Sequence, residues 1–194
     1  MEFAMRLVWN RVWLGVLVGA TTAGAALAAP VTGKEAAAML YAATPVEIVI
    51  NDAAKLGKKV TNPLQTVLAG QPYYGAAALS PDDGLMSDAT IFVGNYFDVE
   101  HASTEALAQC DAKKTGKAPC VIAATVRPKG WVQKAVQLSP DATAGFLKDY
   151  PKTGGALAIS PSKAIWTIGD KSKSALAECA KKSKAKDCVV VIAN

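Results

Sequence analysis

The sequence predicts an α+β fold in which two β-β-α-β repeats form an antiparallel-rich sheet packed by helices. Three observations lead there. Short blocks recur in the same order in two parts of the chain, each recurrence carries a cysteine pair, and apolar residues switch between strand-like runs and helix-like spacing.

The first block, Gly75-Ala76-Ala77-Ala78-Leu79-Ser80-Pro81, is matched by Gly155-Ala156-Leu157-Ala158-Ile159-Ser160-Pro161. Ala106-Leu107-Ala108-Gln109-Cys110 is matched by Ala175-Leu176-Ala177-Glu178-Cys179, and Cys120-Val121-Ile122-Ala123 by Cys188-Val189-Val190-Val191. These blocks set the expected organisation: a signal peptide at 1–28, a helix/strand segment at 29–72, copy one at 73–137, a connecting helix at 138–153 and copy two at 154–194.

Within each copy an apolar strand runs into a Ser-Pro turn, where proline presets the second turn position. A second strand is expected at 85–93 in copy one and at 164–168 in copy two. A helix follows. In copy two Asp170 stands where an N-cap belongs, and Ala175, Leu176 and Cys179 share one face. In copy one Ala102, Ala106, Leu107 and Cys110 do the same. A lysine-rich loop then leads to a Val/Ile strand that begins at the second cysteine. Copy one carries about eleven extra residues between its turn and its helix, by alignment offset.

Outside the copies, Thr32 and Glu35 form a capping-box pattern ahead of a short helix. Residues 46–50 read as a strand. Asn62-Pro63 is expected to open a short helix ending at Leu68. Ser139-Pro140-Asp141 opens another that runs to about Tyr150.

The N-terminus has the layout of an export signal. Arg6 and Arg11 precede an apolar run at 12–20, small residues follow, and Ala26-Leu27-Ala28 offers the small-x-small pattern that signal peptidase reads. Cleavage would leave Ala29 first. The run is short of the roughly 20 residues that span a bilayer, so the expectation is a periplasmic or secreted protein with no transmembrane segment after signal removal. An even cysteine set in an oxidising compartment reads as a disulfide framework. Duplication selects the local pairing, Cys110 with Cys120 and Cys179 with Cys188, because each copy should carry the same bridge.

The motif residues resemble the domain-of-unknown-function family numbered 4189, which shows an Ala-rich strand, a Ser-Pro turn, a Trp-bearing strand, an Ala-Leu-x-x-Cys helix and a Cys-Val-Val strand. Copy two carries the likeness in Ala158-Ile159-Ser160-Pro161-Ser162, Trp166, Ala175-Leu176-Ala177-Glu178-Cys179 and Cys188-Val189-Val190. It departs at Lys163, where the resemblance implies a glycine in the hairpin turn. The resemblance implies a small secreted Cys-pair domain, and no function follows from it.

Chemistry is sparse. His101 is the single histidine of the chain, and acid-base and metal sites most often recruit histidine. His101 and Glu105 stand four apart on the expected helix, a thin metal site, so the reading is a polar first-turn residue. Asp82-Asp83-Gly84 lacks the alternation of an EF-hand loop and reads as a turn. No nucleophile elbow, dinucleotide fingerprint or Walker sequence occurs. No catalytic residue, metal or cofactor is therefore assigned. The basic loops, with Lys113, Lys114 and Lys117 in copy one and Lys181, Lys182, Lys184 and Lys186 in copy two, are the candidate surface for an envelope protein or an anionic glycan or lipid. Lysines at a helix C-terminus also offset its dipole, which explains them without a ligand. Aromatics are absent from these loops, which argues against nucleic acid. Tyr73, Tyr74, Trp131 and Trp166 read as packing residues. The function read from the sequence is a non-catalytic, exported interaction module. The alternative is a small secreted hydrolase drawing on Asp82, Asp83, Asp88 and Glu100.

Overall fold

The computed structural model describes residues 29–194; the expected signal peptide lies outside the described residues. Its helices and two antiparallel sheets give an α+β fold. The strands are divided between two sheets rather than joined in one: no strand of one cysteine-bearing unit pairs with a strand of the other.

The first unit comprises β2 (Gly75–Leu79), β3 (Ile91–Val93), α3 (Val99–Lys113) and β4 (Val121–Pro128). Ahead of it come α1 (Gly33–Met39), β1 (Val46–Ile50) and α2 (Lys58–Leu68). The second unit comprises β5 (Ala156–Ser160), β6 (Ile165–Gly169), α5 (Ser172–Ser183) and β7 (Val189–Ala193), reached through α4 (Pro140–Asp149). The sheet orders are β1-β4-β2-β3 and β6-β5-β7. In both units the first strand is central and takes the other two as antiparallel neighbours. Both ladders slip register at the same place, between Ala77 and Ala78 and between Leu157 and Ala158.

Both central strands are buried along their whole length. In the second unit the reason is visible by face. Ala156 and Ala158 pack under Ala175 and Cys179 of α5, while Leu157 and Ile159 pack with Ala142 and Phe146 of α4 and Ala36 of α1. A strand covered on both faces reads as a continuous apolar run rather than as an alternation. The alanine face lets the helix come close: a Cβ on Gly169 would stand 2.5 Å from the Ala175 nitrogen. On the other face, α4 approaches Trp166 so closely that a Cβ on Gly145 would collide with the indole ring. In the first unit Ala102, Ala106 and Cys110 of α3 join the same core as Ala76 and Ala78.

Helix starts follow the capping chemistry in two places. Thr32 and Glu35 make a reciprocal box, with Glu35 Oε2 accepting from the Thr32 nitrogen at 2.8 Å and Thr32 Oγ1 accepting from the Glu35 nitrogen. Ser139 Oγ accepts from the Ala142 nitrogen with Pro140 in the first turn. Elsewhere the structure corrects the sequence reading. α2 begins at Lys58 after Gly57, so Pro63 lies inside the helix rather than at its start. The amphipathic face carrying Leu64 and Leu68 outweighs the single backbone bond that proline omits. Asp170 does not cap α5. The helix follows Lys171, whose backbone N–H donates to Ser174 Oγ, while the Asp170 carbonyl accepts from Gly155.

The second strand of the first unit covers only Ile91–Val93, not 85–93. Residues 81–90 fold as turns, with the Gly84 carbonyl accepting from Ser87 Oγ and Thr90 Oγ1. These local bonds take groups that a longer ladder would need. In the second unit the corresponding turn is a short 3-10 segment, Pro161–Lys163. The residue with left-handed backbone is Ala164, φ 53°, so Lys163 needs no glycine.

The cysteines are paired Cys110–Cys120 and Cys179–Cys188, each with Cα atoms 6.1 Å apart. No helix among the described residues is long and apolar enough to cross a membrane. Each bridge closes a short loop, for which the chain-entropy model gives about 2.5–3 kcal/mol. Replacing Cys179 and Cys188 together by alanine should lower the urea-derived unfolding free energy by about that amount, with the helix content by circular dichroism retained.

Candidate functional site

Two regions of the first unit and one of the second carry the chemistry. In the first unit, Asp82 and Asp83 lie in the turn after β2 and face the disulfide loop. Asp83 accepts from the Thr115 nitrogen at 2.9 Å, from Thr115 Oγ1 at 2.6 Å and from the Gly116 nitrogen at 3.0 Å. Asp82 accepts from the Ala118 nitrogen at 2.9 Å. In the second unit the carboxylate comes from the opposite partner. Asp187, in the disulfide loop, accepts from Ser160 Oγ at 2.6 Å and from the Ser162 nitrogen at 2.8 Å in the turn after β5. Both units thus lock turn to loop with a carboxylate, but the carboxylate stands on the turn in one and on the loop in the other.

The electrostatics agree with a structural role. Hydrogen bonds from Thr115 hold Asp83 below the usual carboxylate range. The Lys114 ammonium, followed by the Cys120 N–H, does the same for Asp111. For Asp187 partial burial pushes the carboxyl up, and bonds from Ser160 and Ser162 outweigh it, leaving it lowered. A general acid working near neutrality needs the opposite shift. Asp88 joins Asp83 and Lys113 around a shallow hollow, whereas Glu100 lies elsewhere, in the first turn of α3. The four residues suggested as an acid pool are not brought together.

The lysines divide. Lys114 is half-buried, donating to the Ala118 carbonyl and pairing with Asp111 at 2.8 Å, so it braces its own loop. Lys181 and Lys182 approach Glu178 at 3.9 and 3.8 Å on an exposed face, where such pairs contribute little. Lys113, Lys117, Lys184 and Lys186 are exposed. His101 does not pair with Glu105. Its Nδ1 lies 2.8 Å from Asp98, the N-cap of α3, while Glu105 accepts from Gln109. No cluster of three metal-ligating side chains occurs among the described residues.

The second region of the first unit is a cleft of about 170 Å³ that sequence reasoning missed. It lies between the first turn of α3, the outer half of β4 and the segment after it. Asp98, Thr125, Arg127, Trp131 and Gln133 line it, with Tyr74 at its base. Arg127 is held by Glu47 of β1, Nε to Oε2 at 3.2 Å, and its guanidinium stands 5.4 Å over the Trp131 ring. Trp131 Nε1 donates to Gln137 Oε1 at 2.7 Å, and Gln137 donates onward to the Phe97 carbonyl. The Tyr74 phenol lies beside Trp131, but the indole's single N–H is already given to Gln137. Tyr74 Oη is therefore buried without a hydrogen-bond partner among the described residues. Tyr74 is 1% exposed, and burial pushes its hydroxyl above the ordinary phenol value.

The backbone at Tyr74 is also unusual, with φ 25°. The equivalent residue before the second central strand is Gly154, φ 70°. A non-glycine residue held there costs on the order of 1–3 kcal/mol, and such outliers gather at functional sites. No sequence signal marks the cleft, because its members lie on four separated segments.

No family model, no curated protein and no solved structure matches this chain.

The clamps give a pH prediction. Asp187 has a lowered folded pKa, so its contribution is fully present above the unfolded carboxyl value of about 4 and is lost as pH falls through the folded value. Asp187→Asn keeps one acceptor oxygen for the Ser162 N–H but loses the charge and the second acceptor, so it should destabilise the neutral protein by about 1 kcal/mol. It should also flatten the acid limb of the stability profile, measured as urea midpoint against pH.

Proposed function

We propose that this protein is a periplasmic or secreted, disulfide-stapled interaction module without catalytic machinery, whose basic loops meet an anionic surface of the cell envelope. The observation that carries the reading is the construction of the two loops. Each is closed by a disulfide, clamped to a neighbouring turn by a carboxylate, and edged with exposed lysines: Lys113 and Lys117 in the first, Lys184 and Lys186 in the second. A rigid loop loses little conformational entropy on binding, and clustered ammonium groups steer toward anionic lipid or glycan.

Two further points support it. The disulfides suit an oxidising compartment, in keeping with the expected cleavage after Ala28. The hydrolase reading loses Asp82 and Asp83, whose oxygens hold the loop backbone. The motif likeness to family 4189 belongs to the same reading, that of a small secreted Cys-pair domain.

Exported protein should begin at Ala29 by intact mass. It should cosediment with vesicles containing anionic lipid more than with neutral ones, or be retained on an anionic glycan. Each lysine near such a surface contributes about 1 kcal/mol, so K113E/K117E and K184E/K186E should each weaken binding by roughly tenfold or more. Equal binding by all variants would overturn the role of the loops. His101→Ala should leave binding and the melting curve largely unchanged, since its ring makes a half-exposed pair with Asp98.

A further inference from the structure

We infer that the apolar groove along the outer edge of β7 is a docking site for an extended peptide segment of a partner protein, one that carries asparagine, alanine three positions on and leucine five positions on. The site is separate from the basic loops and does not rest on them. The groove has a volume of about 440 Å³ and is walled by Pro30, Ala135, Leu176 and Val189 to Val191, a size usual for ligand sites. No charged side chain lines it, so its complement is an uncharged, largely apolar surface.

The first unit shows what fits such a place. Ala78 stands opposite Ile122 in β4, and Ala158 stands opposite Val190 in β7, so Ile122 and Ala123 are the counterparts of Val190 and Val191. In the first unit Asn51 meets both carbonyls. Its backbone N–H donates to the Ala123 carbonyl at 2.9 Å, and its Nδ2 donates to the Ile122 carbonyl at 2.8 Å. The chain then turns against β4 as a 3-10 segment, Asp52–Ala54, and Leu56 packs on the core of that unit. Asp52, Ala53 and Lys55 are exposed, whereas Asn51, Ala54 and Leu56 are half-buried. The last three therefore make the cover.

In the second unit Val31 takes only part of the place of Asn51. Its N–H donates to the Val191 carbonyl at 3.2 Å, and its carbonyl accepts from the Ala193 nitrogen at 2.9 Å. A valine side chain has no donor for the Val190 carbonyl. Val31 also runs parallel to β7, with Pro30 behind it in the groove wall. Where the first unit has its 3-10 turn, the second has the hollow. Three successive valines on a strand edge carry neither the charge nor the proline that commonly blunts such edges. An edge of this kind accepts an extended segment, with backbone bonds giving affinity and alternate side chains giving specificity. Asn51 is the single asparagine of the chain followed by alanine at the third and leucine at the fifth position. That segment is already engaged in its own unit, so the occupant comes from another protein.

The test uses fluorescence anisotropy with the purified exported protein. The probe is a labelled octapeptide of residues 50–57, Ile-Asn-Asp-Ala-Ala-Lys-Leu-Gly, blocked at both ends. Saturable binding is expected. In the peptide, Asn51→Ala should weaken binding about five- to tenfold, the worth of one hydrogen bond. Leu56→Ala should weaken it by roughly tenfold or more through lost burial. In the protein, Ala135→Trp fills the groove from an exposed position, so it should abolish binding with an unchanged melting curve. Absence of saturable binding would overturn the inference. Equal binding by the Ala135→Trp protein would overturn the site, and equal binding of the substituted peptides would overturn the partner class. A dimer in sedimentation that Ala135→Trp dissolves would overturn the foreign partner and assign a second copy. Protection of the Val190 amide from exchange only while residues 1–28 remain attached, with no peptide binding after their removal, would assign the groove to the leader instead.

Discussion

The close approach of an alanine-faced helix to an alanine-faced central strand is the constraint on which the rest of this structure depends. It recurs in Ala102, Ala106 and Cys110 over Ala76 and Ala78, and in Ala175 and Cys179 over Ala156 and Ala158. Such faces bury little apolar area per residue, and burial contributes only about 0.8 kcal/mol per methylene-sized group. They therefore hold well only at short range, where a side chain at Gly169 would already obstruct α5. The cysteine that ends each alanine stripe ties the helix to the approach of the next strand, so the bridge fixes the separation that the small residues permit.

The lysine-rich loops inherit their shape from that constraint. A helix end and a strand start joined by a disulfide leave a tight loop with unpaired backbone N–H groups, and a carboxylate is an economical acceptor for them. Asp82 and Asp83 serve from the turn in one unit, and Asp187 reaches the turn from the loop in the other. The same mechanical task is met by residues at different chain positions. For that reason Asp82 and Asp83, two of the acidic residues that resemble a catalytic pool in the sequence, hold the loop backbone.

The Tyr74 cleft has a different origin. It forms where β4 runs on to Arg127 and meets β1 and the segment through Gln137. Glu47 orients Arg127, Arg127 covers Trp131, and Trp131 denies its N–H to Tyr74. Each contact is ordinary, but together they leave the buried Tyr74 hydroxyl without a hydrogen-bond partner among the described residues. The left-handed backbone at Tyr74, glycine in the other unit, puts an aromatic ring where a smaller residue would sit more easily.

Local chemistry was legible in the sequence because it acts over a few residues. The Thr32–Glu35 box, the strand Val46–Ile50, the Ser139-Pro140 helix start and the helical face ending at Cys110 all depend on neighbours within about a turn. The paired order of blocks extended that reach to the local disulfides. Other features needed tertiary contacts. Pro63 sits within α2 because Leu64 and Leu68 are packed against the sheet core, and β3 shortens because Gly84 gathers the side chains of its own turn. The division into two sheets and the cleft under Tyr74 join segments tens of residues apart. The sequence by itself determined the order of the main elements, the cysteine partners and the basic loops. Only the tertiary structure decided which carboxylates are bound to backbone and which buried hydroxyls are left unpaired among the described residues, because hydrogen-bond satisfaction depends on distance in space and not along the chain.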